Sequence, residues 1–79
     1  MPHQRRTDNQ IAAALVALTP REIEVLQLLV QGMSNKAIAK KLFVSDHAIE
    51  AHLRRIYRKF YVRNRTSAVV FAIRNKVIS

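Results

Sequence analysis

Between Thr19 and Asn75 apolar residues recur at helical spacing in four stretches, each bounded by residues that start or stop helices. Thr19-Pro20-Arg21-Glu22 opens the first. Thr19 can cap, Pro20 suits the first helical position, and Glu22 can reach back to complete a capping box. Ile23, Leu26, Leu29 and Val30 follow as the expected buried stripe, and Gly32, the only glycine in the chain, marks the end. Ser34 caps a short second helix with Ala37, Ile38 and Leu42 on its apolar side. Phe43-Val44 reads as a turn, and Ser45 caps a third helix with Asp46 at its positive end. Two helices about three residues apart make a helix-turn-helix candidate.

The third helix has two sides of opposite character. At helical pitch Ile49, Leu53, Ile56 and Phe60 fall within a ~60° sector, which predicts the core stripe. His47, Arg54, Arg58 and Ala51 lie about 140° to 200° away. Small-plus-basic suits an element that enters a groove, because Ala51 allows close approach while the arginines reach out. A solvated charged face explains the pattern equally well from this helix alone. Glu50 and Arg54 are spaced i, i+4 in the favourable order, which predicts a helix-stabilising pair. Its carboxylate could instead accept from a cytosine amino group.

The fourth stretch runs from near Asn64 to near Asn75. Its Ala68-Val69-Val70-Phe71-Ala72-Ile73 run is apolar on all sides, more than one small core covers. Ala68 and Ala72 are expected inward, and Val69, Val70 and Ile73 exposed as a contact for a second copy. Before Thr19 the pattern weakens. Thr7 with Gln10 could form a capping box and Ile11 to Ala17 favours helix, but isolated helices of that length are marginal. The expected architecture is all-α: a compact four-helix domain over residues 18–79 containing the helix-turn-helix. Residues 1–17 are expected to form a poorly ordered or marginally helical arm or linker.

Composition sharpens the reading. A chain of 79 residues makes one domain at most, and near this size only ~60–65% of the unfolded surface is buried. It has no cysteine, which excludes disulfides, thiolate zinc sites and Cys nucleophiles, so a partner subunit is the expected source of extra stability. The formal charge is +9, and residues 33–65 hold nine basic groups against Asp46 and Glu50, a surplus of seven. Such a field calls for a polyanion, nucleic acid first and an anionic membrane surface second. No apolar run approaches the ~20 residues that span a bilayer. RRTDNQIAAALVAL has basic residues before an apolar patch, but the patch is short and the approach interrupted, which argues against a signal peptide. Cytoplasm is expected.

Catalytic readings find little support. His47 and His52 are spaced i, i+5, whereas zinc-binding pairs on one helix want i, i+4 or i, i+3. One glycine cannot build a phosphate-cradling loop, and Glu22 and Glu24 beside a helix start suit its dipole. No enzyme activity, metal or cofactor is expected.

The stretch LTPREIEVLQLLVQGMSNKAIAKKLFVSDHAIEAHLRRIYRKFYVRNRTSAV resembles the LuxR-type (GerE, or NarL/FixJ) helix-turn-helix domain. The likeness covers about residues 18–78. It is carried by LTPRE, by GMSNKAIAKKL, by VS-x-x-x-I-x-x-H and by V-x-NR-x-x-AV. It implies a bacterial transcription regulator that reads double-stranded DNA with its third helix in the major groove. The fourth helix commonly serves a homodimer, and RNA polymerase is a further implied partner. The family's base-reading positions correspond to Glu50, Ala51 and Arg54, to which the helical face adds His47 and Arg58. His52 matches a histidine near phosphate. Further phosphate contacts are expected from Ser34, Asn35, Lys36, Ser45, Arg55, Lys59, Arg63 and Arg65, and dimer contacts from Val69, Val70 and Ile73.

Three positions depart from the family pattern. Ala48 stands where threonine is frequent, Glu50 where lysine is frequent, and Tyr61 where glycine often follows the third helix. A non-glycine residue at position 61 demands another helix ending or mild strain. Two other readings compete: a sigma-factor region 4-like domain, which would co-purify with RNA polymerase core, and a protein-interaction or anti-activator module, which would shift no DNA probe. NRTSAV and the fourth helix favour the regulator.

Overall fold

The structure, a computed structural model, describes residues 18–75 and residue 77. The expected N-terminal arm lies outside them. Four helices follow in order: α1 (Pro20–Val30), α2 (Asn35–Leu42), α3 (Asp46–Phe60) and α4 (Arg65–Arg74). Every helix start is capped by the side chain that precedes it. Thr19 Oγ1 accepts the Glu22 N–H at 3.1 Å while Glu22 Oε1 accepts the Thr19 N–H at 3.0 Å, the reciprocal capping box. Ser34 accepts from the Ala37 N–H, Ser45 from Ala48 and Asn64 from Ser67. Each such cap is worth ~1 kcal/mol against alanine.

The first three helices end the same way. Gly32, Phe43 and Tyr61 all have positive φ, at 89°, 58° and 58°. The next residue then bonds back five positions: Met33 N–H to the Leu28 carbonyl, Val44 to Ala39 and Val62 to Tyr57. These are Schellman closures, and in each the residue after the left-handed one is apolar and packs on the core. A side chain added at Gly32 would meet nothing within 4 Å, so glycine serves the backbone conformation there and no close approach. Phe43 and Tyr61 adopt nearly the same conformation with a Cβ, at ~1–2 kcal/mol each. The strain expected at Tyr61 is therefore present, and Phe43 shares it.

The core is one cluster. Phe60 and Phe71 stack with ring centroids 4.3 Å apart, joining α3 to α4. Val25, Leu26, Leu29, Ile38, Ile49 and Ile56 fill the space around them, each at most 1% exposed. α3 packs against all three other helices and α1 does likewise, whereas α2 and α4 do not pack on each other.

Two burial expectations are corrected. Ile23 is 36% exposed, and the inward stripe of α1 runs Glu22, Val25, Leu26 and Leu29, with Leu28 beside it. Its first place is taken by a carboxylate, which is why an apolar search settles on Ile23 next door. On α4, Ala68 and Ala72 are fully buried as expected, but Val69 is half-buried against the core and not exposed; Val70 and Ile73 are exposed, and Phe71 joins the buried set.

Candidate nucleic-acid interface

α3 presents its two faces as its sequence dictates. Ile49, Leu53, Ile56 and Phe60 are buried, while His47, Glu50, Arg54 and Arg58 are exposed and Ala51 is half-buried. Fifteen residues give a rod about 22 Å long, enough to lie along a major groove with several side chains in reach of base edges. Its N-terminus is open to solvent, with Ser45 exposed at the cap. The α2 start is similar, with Ser34 and Lys36 exposed and Asn35 half-buried. Each capping hydroxyl accepts one backbone N–H and keeps its own hydrogen to donate to a phosphate.

The remaining expected residues divide. Arg55 and Arg63 are exposed, and Arg55 Nη1 lies 3.3 Å from Nδ1 of the half-buried His52. The Nζ of Lys59 sits 2.6 Å from Glu22 Oε1, turned towards α1, an ion pair within the fold that sequence spacing does not announce. Glu22 is 2% exposed and receives the Thr19 N–H and the Lys59 ammonium together. Desolvation raises its carboxyl, but the hydrogen bonds from Lys59 and Thr19 and the charges of Lys59 and Arg55 outweigh this and hold it below the ordinary range.

Arg65 is also committed within the fold. From the first turn of α4 its guanidinium donates to Asn35 Oδ1 at 3.2 Å and to the Met33 carbonyl. It thereby bridges the starts of α2 and α4, two helices that otherwise do not touch. Arg65 and Asn35 set the position of the α2 N-terminus. Burial pushes the Tyr57 hydroxyl up, and the nearby Arg65 charge opposes the shift.

The expected Glu50–Arg54 pair is corrected: among the described residues no ion pair joins them, and the Glu50 carboxylate lies 3.9 Å from His47 Nδ1. Arg54 is exposed. Two further cations, Lys40 and Lys41, which are not among the expected contacts, stand exposed in the last turn of α2. Their signal was the net charge of the segment alone.

Among the described residues no helix is long and apolar enough to cross a membrane. None of their His, Asp and Glu side chains group in threes that could hold a metal ion.

Comparison with known proteins agrees with this geometry. Residues 16–72 match the family model GerE, bacterial regulatory proteins of the luxR family. The transcriptional regulatory protein YxjL of Bacillus subtilis (strain 168) is 50% identical over 60 residues, covering 76% of this chain and 28% of the relative. The nitrate/nitrite response regulator protein NarP of Escherichia coli (strain K12) is 41% identical over 59 residues, covering 75% and 27%. The chain thus spans little more than a quarter of the length of these curated relatives. Among solved structures, the transcription factor GerE superposes with a TM-score of 0.72 at 34% identity, covering 78% of this chain and 92% of that one. The response regulator ChrA of a heme-sensing two-component system gives 0.75 at 41% identity, covering 95% and 33%. By a capped four-helix fold, an outward basic α3 and these matches, the chain belongs to the luxR family of bacterial regulatory proteins.

Proposed function

We propose that this chain is a non-enzymatic, sequence-specific DNA-binding module of a bacterial transcription regulator acting in the cytoplasm. One observation carries the reading: the α3 face opposite the buried stripe holds Arg54 and Arg58, both exposed, around the small residue Ala51. Arg54, Arg58, Glu50, Ala51 and His47 meet base edges. Ser34, Lys36, Ser45, His52, Arg55 and Arg63 dock on phosphates. Val70 and Ile73 on α4 join two copies on a two-part site. NarP and ChrA are response regulators of which the matched part is about a third or less. The chain serves as the effector end of such a regulator, with RNA polymerase as a further partner.

Selection of duplexes from a randomised pool, followed by titration of the enriched and scrambled sequences at fixed salt, tests this. Enrichment of one motif that binds at least about a thousandfold tighter than its scramble is expected. A protein that enriches no motif, or that co-purifies stoichiometrically with RNA polymerase core and shifts no free duplex, removes the reading.

A further inference from the structure

The turn of the helix-turn-helix carries a residue the fold does not need. Phe43 is 94% exposed, the most exposed large apolar side chain among the described residues. It is also held at φ 58°, a conformation that disfavours bulky side chains. The same closure after α1 is made with glycine, and the apolar anchor of the α2 closure is the next residue, Val44, which packs on the core. Glycine at position 43 would close α2 without strain and without an aromatic ring in water. Strain and exposure together at one residue point to use rather than packing.

Its surroundings identify the use. Lys40 and Lys41 stand exposed just before it, and the exposed cap Ser45 of α3 follows two residues later. The ring therefore stands on a cationic rim at the end of α3 that carries Ser45, where a polyanion is drawn in. A polyanion that also offers apolar surface at backbone spacing is a nucleic-acid strand, whose sugars lie between its phosphates. Resting on the DNA-binding reading above, we propose that Phe43 is a DNA-contacting residue. Its ring packs on the deoxyribose faces of the strand bordering the groove that α3 enters. Lys40 and Lys41 hold the flanking phosphates.

The contact is apolar and blind to sequence, which fixes its signature. Phe43→Gly should melt a few degrees higher than the wild type, because strain is relieved and no buried contact is lost. It should nevertheless bind both the pool-selected duplex and its scramble about three- to tenfold more weakly. The slope of log affinity against log salt should not change, since no phosphate contact is removed. Lys41→Ala should instead make that slope shallower by about 0.9. Phe43→Tyr keeps the ring and should bind like the wild type, while Phe43→Asn tolerates the left-handed backbone and should bind like the glycine variant. Wild-type affinity in Phe43→Gly overturns the contact, as does weakening in Phe43→Tyr equal to that in Phe43→Gly, because the tyrosine variant retains the ring held to make the contact. Wild-type affinity in Phe43→Ala, which loses the ring but keeps a Cβ, would trace the glycine loss to the backbone and overturn it too. Absence of duplex binding by the wild type itself would sink the functional reading, a result distinguishable from both.

Discussion

Lys59, near the end of α3, places its ammonium 2.6 Å from the carboxylate of Glu22 in the first turn of α1, across 37 positions of sequence. The same carboxylate closes the Thr19 capping box. One buried anion therefore fixes both the start of α1 and the lie of the helix that faces solvent with Arg54.

Removing one partner of this pair should be costly. Lys59→Ala leaves a carboxylate that is 2% exposed without its counter-charge and should destabilise the fold by about 2–4 kcal/mol in urea titration. Glu22→Gln keeps an acceptor for Thr19 and should cost less, ~1–2 kcal/mol. If Lys59→Ala unfolds at the wild-type midpoint but binds DNA with a shallower salt slope, the lysine is a phosphate contact after all.

The pair also sets a pH dependence. The Glu22 carboxyl is held below its ordinary value in the folded state, so its stabilisation is fully present above the unfolded value of ~4.3. It is lost as pH falls through the depressed folded value, because protonation favours the unfolded chain. The stability difference between wild type and Glu22→Gln should hold steady from neutral pH to about 5 and shrink below ~4. A difference that stays constant down to pH ~2 would show that Glu22 is not coupled to folding in this way.

What was legible in the sequence follows the range of the interactions concerned. Caps at Thr19, Ser34, Ser45 and Asn64 act over three residues, so residue type and spacing reveal them. The α3 stripe was legible because all four of its buried places hold large apolar groups. The α1 stripe is illegible at one end because Glu22 fills an inward place, and only a lysine from another helix makes that tolerable. Lys59 and Arg65 look like docking cations in a basic chain. Their partners Glu22, Met33 and Asn35 lie 30 or more residues away, and sequence spacing carries no sign of them. Val69 and Val70 are adjacent and identical in type, and only the packing of α4 separates the half-buried one from the exposed one.

The freed set of cations makes a quantitative expectation for DNA binding. With Lys59 and Arg65 engaged inside the fold, Lys36, Arg55 and Arg63 remain for phosphates, and Lys40 and Lys41 flank them. If ~4–6 phosphates are neutralised per domain, log affinity should fall with log salt at a slope of about −4 to −5. A slope shallower than about −2 would mean that this basic surface is not where DNA docks.

Arg54 and Arg63 should differ in kind. Arg54 extends from the outward face of α3, and its replacement by alanine should cost about 1–3 kcal/mol of discrimination between selected and scrambled duplexes. Arg63 lies beyond the end of α3, and Arg63→Ala should weaken both duplexes about equally. Reversal of the two patterns would mean that α3 is rotated in the groove relative to this assignment.

The exposed pair on α4 carries the last prediction. Val70 is 40% and Ile73 56% exposed, on a helix whose other apolar residues pack inward. Charge at these two places should therefore leave the fold intact, unlike charge at Phe71 or Ala72. Two copies joined through them around a two-fold axis would set their α3 helices on half-sites about 10 base pairs apart. The patch is small, so pairing is expected on DNA, where the two copies are already held close. Val70→Glu with Ile73→Glu should keep a cooperative melt and lose cooperative binding to the paired site. Affinity for a single half-site should drop only modestly, through the two added negative charges. Cooperativity that survives the double substitution would take the dimer contact away from α4, whereas a collapsed melt would mean that both side chains support the core.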